Sequence, residues 1–130
     1  MREYLCIALL LVMILALLPG CGASEADAAA ANEQRVLSFV VINNSGGDIN
    51  GVALEGANLP MGFHDIKNKD HGKLSNRKLE LPETLTLHWG DDRNNRREGQ
   101  VNVWSELGAS FSGQVTLTID HRDKVILTGR

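Results

Sequence analysis

Cysteine is nearly absent from this 130-residue chain: Cys6 and Cys21 are its only two, and no other occurs beyond residue 21. A domain built from residues 22–130 has no disulfide staple and must hold together by its core. An excess of one charge is missing as well. The formal charge is −3, and Arg2 and Glu3 cancel, so the chain beyond its apolar start carries the same small balance. Such a balance makes no general field for polyanions and argues against nucleic acid as a partner. A membrane-spanning run is also lacking. "LCIALLLVMILALL", Leu5 to Leu18, is free of charge but has only 14 residues, where a helix crossing about 30 Å of hydrocarbon needs roughly 20.

What that short run does offer is an address. A weakly positive start at Met1-Arg2, an apolar middle, a break at Pro19-Gly20 and small residues beyond have the order of a secretory signal peptide rather than of an uncleaved anchor. The exit, "LPGC", Leu18-Pro19-Gly20-Cys21, resembles the lipobox of bacterial lipoproteins. Leu18, Gly20 and Cys21 match that pattern, while Pro19 departs from the small or aliphatic residue usually found at its position. The resemblance implies diacylglyceryl transfer to the Cys21 thiol, cleavage before Cys21 and acylation of the new amino terminus. Ordinary signal cleavage after Ala23 is the rival, and it would leave the mature chain without cysteine.

Lipidation also accounts for the lone thiol. Cys6 leaves with the signal, and an unpaired exposed cysteine in an oxidising compartment risks intermolecular pairing, a risk that a thioether removes. Two or three acyl chains give lasting attachment where one holds marginally. By the sorting logic of the same family, Gly22 rather than aspartate after the cysteine implies passage to an outer membrane, facing the periplasm, in a Gram-negative cell. The chain therefore divides into a signal at 1–20, a lipidated terminus and linker at 21–34, and a domain at 35–130. The linker, "GASEADAAAANEQ", has six alanines and three acids and no aromatic or β-branched residue. It reads as a flexible tether, because an isolated helix of this length is marginal in water.

The domain carries the period of strands. "RVLSFVVI", Arg35 to Ile42, is rich in β-branched and aromatic residues and ends at the turn cluster "NNSGGD"; "INGVALEG", Ile49 to Gly56, is expected to pair back on it. Residues 57–76 read as loops around one or two brief strands, and a clearer pattern resumes at "KLEL". In "TLTLHW" Leu85, Leu87 and Trp89 share one face, with His88 on the other. "GDDRNNRREG" interrupts with ten residues lacking any apolar side chain. "QVNVW" then turns Val101 and Val103 inward, "QVTLTID" Val115, Leu117 and Ile119, and "VILTG" Val125 and Leu127. About seven short strands without crossover helices predict an all-β fold, a small antiparallel β-sandwich, immunoglobulin-like in size, or a small barrel.

Chemistry is harder to find. His64, Asp65, Asp70 and His71 crowd "HDIKNKDH", and both imidazole and carboxylate are metal ligands, but the two histidines are seven apart and no zinc-site spacing supports them. No serine stands in a nucleophile elbow, and "SGGD" precedes a strand rather than the helix that would hold phosphate. No catalytic residue and no cofactor is expected. The most distinctive surface feature is "DDRNNRRE": Arg93, Arg96 and Arg97 can present guanidinium forks to an acidic partner, with Trp104 as an anchor if it stands outward beside them. The alternative is a self-neutralising solvated loop.

Three functions are compatible with these features. The first is a lipid-anchored, non-enzymatic binding or structural module whose partner is a protein or another envelope component. The second is an inhibitor or immunity-type lipoprotein that blocks a toxin or hydrolase in the same compartment. The third, a small hydrolase, requires a cleft with a histidine beside a carboxylate, and four separated, exposed histidines would exclude it.

Overall fold

The computed structural model describes residues 33–56 and 59–130. The apolar run, Pro19, Cys21 and the linker through Asn32 lie outside the described residues. Among the described residues there are eight strands: β1 (Gln34–Asn43), β2 (Asn50–Gly56), β3 (Leu59–Gly62), β4 (His71–Glu80), β5 (Thr84–Gly90), β6 (Arg96–Asn102), β7 (Gly113–Ile119) and β8 (Val125–Gly129), with a one-turn helix α1 (Val103–Leu107) between β6 and β7. They form two open four-stranded sheets, ordered β4-β1-β7-β8 and β3-β2-β5-β6. The fold is thus a small all-β sandwich and not a closed barrel. No helix among the described residues is long and apolar enough to cross a membrane.

The core is the apolar set that period-2 alternation picks out. Leu85, Leu87 and Trp89 on β5, and Val115, Leu117 and Ile119 on β7, are fully buried, and they meet Leu37, Phe39 and Val41 of β1 in one cluster. Val125 and Leu127 pack against that cluster from β8. Each fully buried side chain of this size contributes about 1.5–3 kcal/mol of transfer free energy, which is how the domain dispenses with a disulfide.

Three expectations are corrected. β2 does not pair with β1: both edges of β1 are taken, by β4 antiparallel and by β7 in parallel. The chain instead crosses to the second sheet at Ile49, which bridges to Ile66, and β2 pairs with β3 and β5. The β1–β7 pair also makes the sandwich only mostly antiparallel. Second, the polar run after Gly90 is not one long loop. β6 begins at Arg96 inside it and pairs with β5 over seven positions, from Gly90↔Arg96 to Thr84↔Asn102. A strand at a sheet edge needs apolar side chains on one face only, and here even that face is sparse. Third, Trp104 is not on a strand but in α1, capped by the Asn102 carboxamide oxygen, which accepts from the Ser105 N–H at 3.0 Å.

Loops at one end of the sandwich are organised by Asn43, the one buried polar residue of the core among the described residues. Its Nδ2 donates to the carbonyls of Gly47 and Ile66 at 2.8 and 3.0 Å, and its Oδ1 accepts from Ser45 Oγ at 2.6 Å. At the opposite end the Arg35 guanidinium donates to the carbonyls of Ala109 and Phe111, fixing the start of β1 against the α1–β7 loop. Because β1 spans ten residues, about 30 Å at 3.3 Å per residue, the linker enters one end of the sandwich while the β1–β2, β5–β6 and β7–β8 turns lie at the other.

Candidate functional site

The β5–β6 hairpin brings polar groups onto the outer face of the second sheet. Its turn is tight because Asp91 Oδ1 accepts the backbone N–H groups of Asn95 at 2.8 Å and Arg93 at 2.9 Å, while Asn94 takes a positive φ of 61°. Asparagine tolerates that region. The β7–β8 turn repeats the device, with Asp120 Oδ1 accepting from Lys124 at 2.9 Å and Arg122 at 2.8 Å, and Asp123 at a φ of 57°. These backbone donors, Asn95 first for Asp91 and Lys124 first for Asp120, hold both carboxyls below the usual carboxylate range.

With the turn fixed, register decides what meets. His88 lies opposite Ala53 of β2 and opposite Glu98 of β6. Its Nε2 is 3.0 Å from Glu55 Oε2 and its Nδ1 3.5 Å from Glu98 Oε2, with the imidazole half-buried and both carboxylates exposed. A neutral imidazole carries one N–H and serves one of these acceptors; the imidazolium serves both. Beside them Gly51, with a φ of +54°, sits in the irregular stretch of β2 between Asn50 and Ala53. A Cβ there would stand 2.9 Å from Arg96 Nη1, so the missing side chain is what lets the guanidinium lie across the strand. Gly51, Ala53, Glu55, His88, Arg96, Arg97 and Glu98 line a groove of about 550 Å³.

The three arginines of the charged run therefore have different fates. Arg97 is tied to Asp91 at 3.4 Å and to Asp123 at 3.8 Å, linking the two hairpin turns. Arg96 lies in the groove and has no side-chain acceptor among the described residues. Arg93 stands exposed at the turn and lines a second, polar cleft of about 270 Å³ with Asp48, Asp92 and Asp123. Trp104 is not with them. It lies beyond the other end of β6, half-buried against the core, and its Nε1 donates to the Leu81 carbonyl at 3.1 Å.

The histidine–aspartate loop is not gathered into a ligand set. Asp65 Oδ1 accepts from the Gly51 N–H at 3.3 Å, while His71 and Asp70 form an exposed pair at 3.5 Å. Among the described residues no group of three histidine, cysteine, aspartate or glutamate side chains is placed to hold a metal ion. His64, His71 and His121 are exposed. His88 is the half-buried one, and it stands between two carboxylates in the groove.

The Glu55–His88–Glu98 group is hidden in the sequence by the apparent length of the polar run. Once the turn is reduced to residues 91–95, counting outward from Arg93 places His88 opposite Glu98. Glu55 emerges only from pairing β2 with β5.

No family model matches the chain, and no curated protein matches it. Among solved structures it is similar to the NMR structure of a protein from Eubacterium rectale, with a TM-score of 0.46 and 7% identity, covering 73% of this chain and 88% of that one. A likeness so slight carries no inference about either the site or its use.

Proposed function

We propose that the protein is a lipid-anchored, non-enzymatic binding module of the cell envelope. In this reading it is exported, held to a membrane through acylated Cys21 and, in a Gram-negative cell, placed at the outer membrane facing the periplasm. It meets its partner with the hairpin end of the sandwich. The observation that carries the reading is the opposition between the two ends: the linker joins β1 at Gln34, while Arg93, Arg96 and the groove belong to the other end and the adjoining outer face. Binding is favoured over hydrolysis because, among the described residues, no hydroxyl or thiol side chain lines the groove with His88 for it to activate as a nucleophile.

Photo-crosslinking in the intact envelope tests this. A photoreactive residue at position 93 or 96 should give a defined adduct, while one at position 106, in α1 near the linker end, should give none. Equal adducts at both ends, or none at 93 and 96, would contradict the reading.

A further inference from the structure

The outer face of the first sheet combines exposed apolar side chains with unpaired cations. Val36 and Ile126, 54% and 45% exposed, are the exposed large hydrophobic residues among the described residues, and both stand on it. Register places them there: Val36 lies opposite Lys78 and Val40 opposite Lys73, while Ile42 is level with Thr118, which faces Ile126. Apart from Ser38, the central strand β1 is therefore apolar on both sides, where a sheet with one solvated face alternates apolar with polar. Cations follow the same face along β4. Residues 67–78 hold five lysines and arginines against one acid, Asp70, so this edge is locally positive in a chain of net charge −3. Among the described residues Lys73 and Lys78 form no ion pair, and Asp70 is taken by His71. Glu80 is the carboxylate at the strand positions of this face, and it stands at the linker end, opposite Gln34.

We infer that this face docks on an anionic lipid bilayer, with Lys73 and Lys78 meeting headgroup phosphates and Val36 and Ile126 entering the interface beside them. The inference rests on the lipid-anchored reading and adds to it how the anchored domain lies. Cys21 is 15 residues before Val36, at most about 54 Å of extended chain, so a bilayer that holds the one is within reach of the other. Apolar side chains interspersed with lysine suit an interface where hydrocarbon and phosphate adjoin. Each lysine near an anionic surface strengthens binding about fivefold. Other occupants fit less well. A partner strand meets an edge bent by a bulge in β4 opposite Ser38, where Asn76 takes a φ of 54°. A second copy packed by the same face brings two positive surfaces together. With this face on the bilayer, the groove on the outer face of the other sheet points away from it and stays open to a partner.

The test uses the mature chain from its native envelope, reconstituted in vesicles of phosphatidylcholine alone or of phosphatidylcholine and phosphatidylglycerol in equal parts. A spin label is attached through Thr128→Cys on this face, or through Gln100→Cys on the outer face of the other sheet. In the anionic vesicles the label at 128 should lose most of its accessibility to a water-soluble nickel complex while keeping its access to oxygen. The label at 100 should stay open in both. The double variant Lys73→Gln/Lys78→Gln should lower the ratio of docked to free domain by roughly tenfold or more. Raising salt from about 0.1 M to about 1 M, which cuts the screening length from about 10 Å to about 3 Å, should also release the face. All four substituted positions are exposed, so the fold tolerates these changes. A label at 128 as accessible in anionic as in neutral vesicles, or as well protected in the double variant, would overturn the inference. Dipolar broadening between the labels of two copies would overturn it in favour of a second copy, and protection confined to native envelope fragments in favour of a protein partner. Flotation on phosphatidylcholine vesicles reports the anchor separately. A chain that floats with position 128 open keeps the anchor and loses the face, whereas one that does not float but is protected on anionic vesicles keeps the face and loses the anchor.

Discussion

Asp91 and Asp120 show how much of this protein is decided by single side chains. Each closes a hairpin by accepting two backbone N–H groups, and each has a carboxyl held below its ordinary range. A carboxyl depressed in the folded state lends stability that is complete above its unfolded pKa, near 3.8, and lost as pH falls through the folded value. Thermal unfolding measured from pH 5 to 2 should therefore show an acid loss that is shallower in the double variant Asp91→Asn/Asp120→Asn; identical slopes would refute the assignment. Asn43 makes a larger contribution because it is buried. Asn43→Ala removes one donor from each of the Gly47 and Ile66 carbonyls and the acceptor of the Ser45 hydroxyl, and should cost about 1–3 kcal/mol in urea unfolding. His88→Ala, which breaks exposed pairs only, should cost less than about 1 kcal/mol.

At the scale of the element, the β5–β6 hairpin marks the boundary between what the residues announce and what they conceal. Alternation alone places Leu85, Leu87 and Trp89 inward and His88 outward, because a half-buried strand writes its two faces into adjacent letters. β6 hides for the opposite reason. Its inward positions include Arg97 and Gly99, neither of which carries an apolar signal. Gly99 is glycine because Val125 of β8 fills the space its side chain would take, with Trp89 close behind. Gly99→Val should overpack this junction between the sheets and lower stability by about 1–3 kcal/mol, read by chemical denaturation, whereas the same change at exposed Gly62, whose Cβ position is open, should cost less. The parallel β1–β7 pair is equally illegible. Nothing in either strand's composition names its neighbour; β7 meets β1 only after the chain has crossed back from β6 of the second sheet through α1.

For the whole molecule, the proposal amounts to a disulfide-free sandwich that hangs by Cys21 and works from the end away from its linker. The fold supports the second half through the 30 Å run of β1 and the Arg35 bonds that fix its start. The first half rests on four letters, Leu18-Pro19-Gly20-Cys21. Intact mass of the mature amino terminus from the native envelope, beside a Cys21→Ser variant grown with radioactive palmitate, is the decisive measurement. The expected result is a chain that begins at Cys21 carrying thioether-linked diacylglycerol, and a variant that takes up no label and persists as the unprocessed precursor. A lipid-free terminus beyond Ala23, or a variant processed like the unaltered chain, would contradict lipid anchoring.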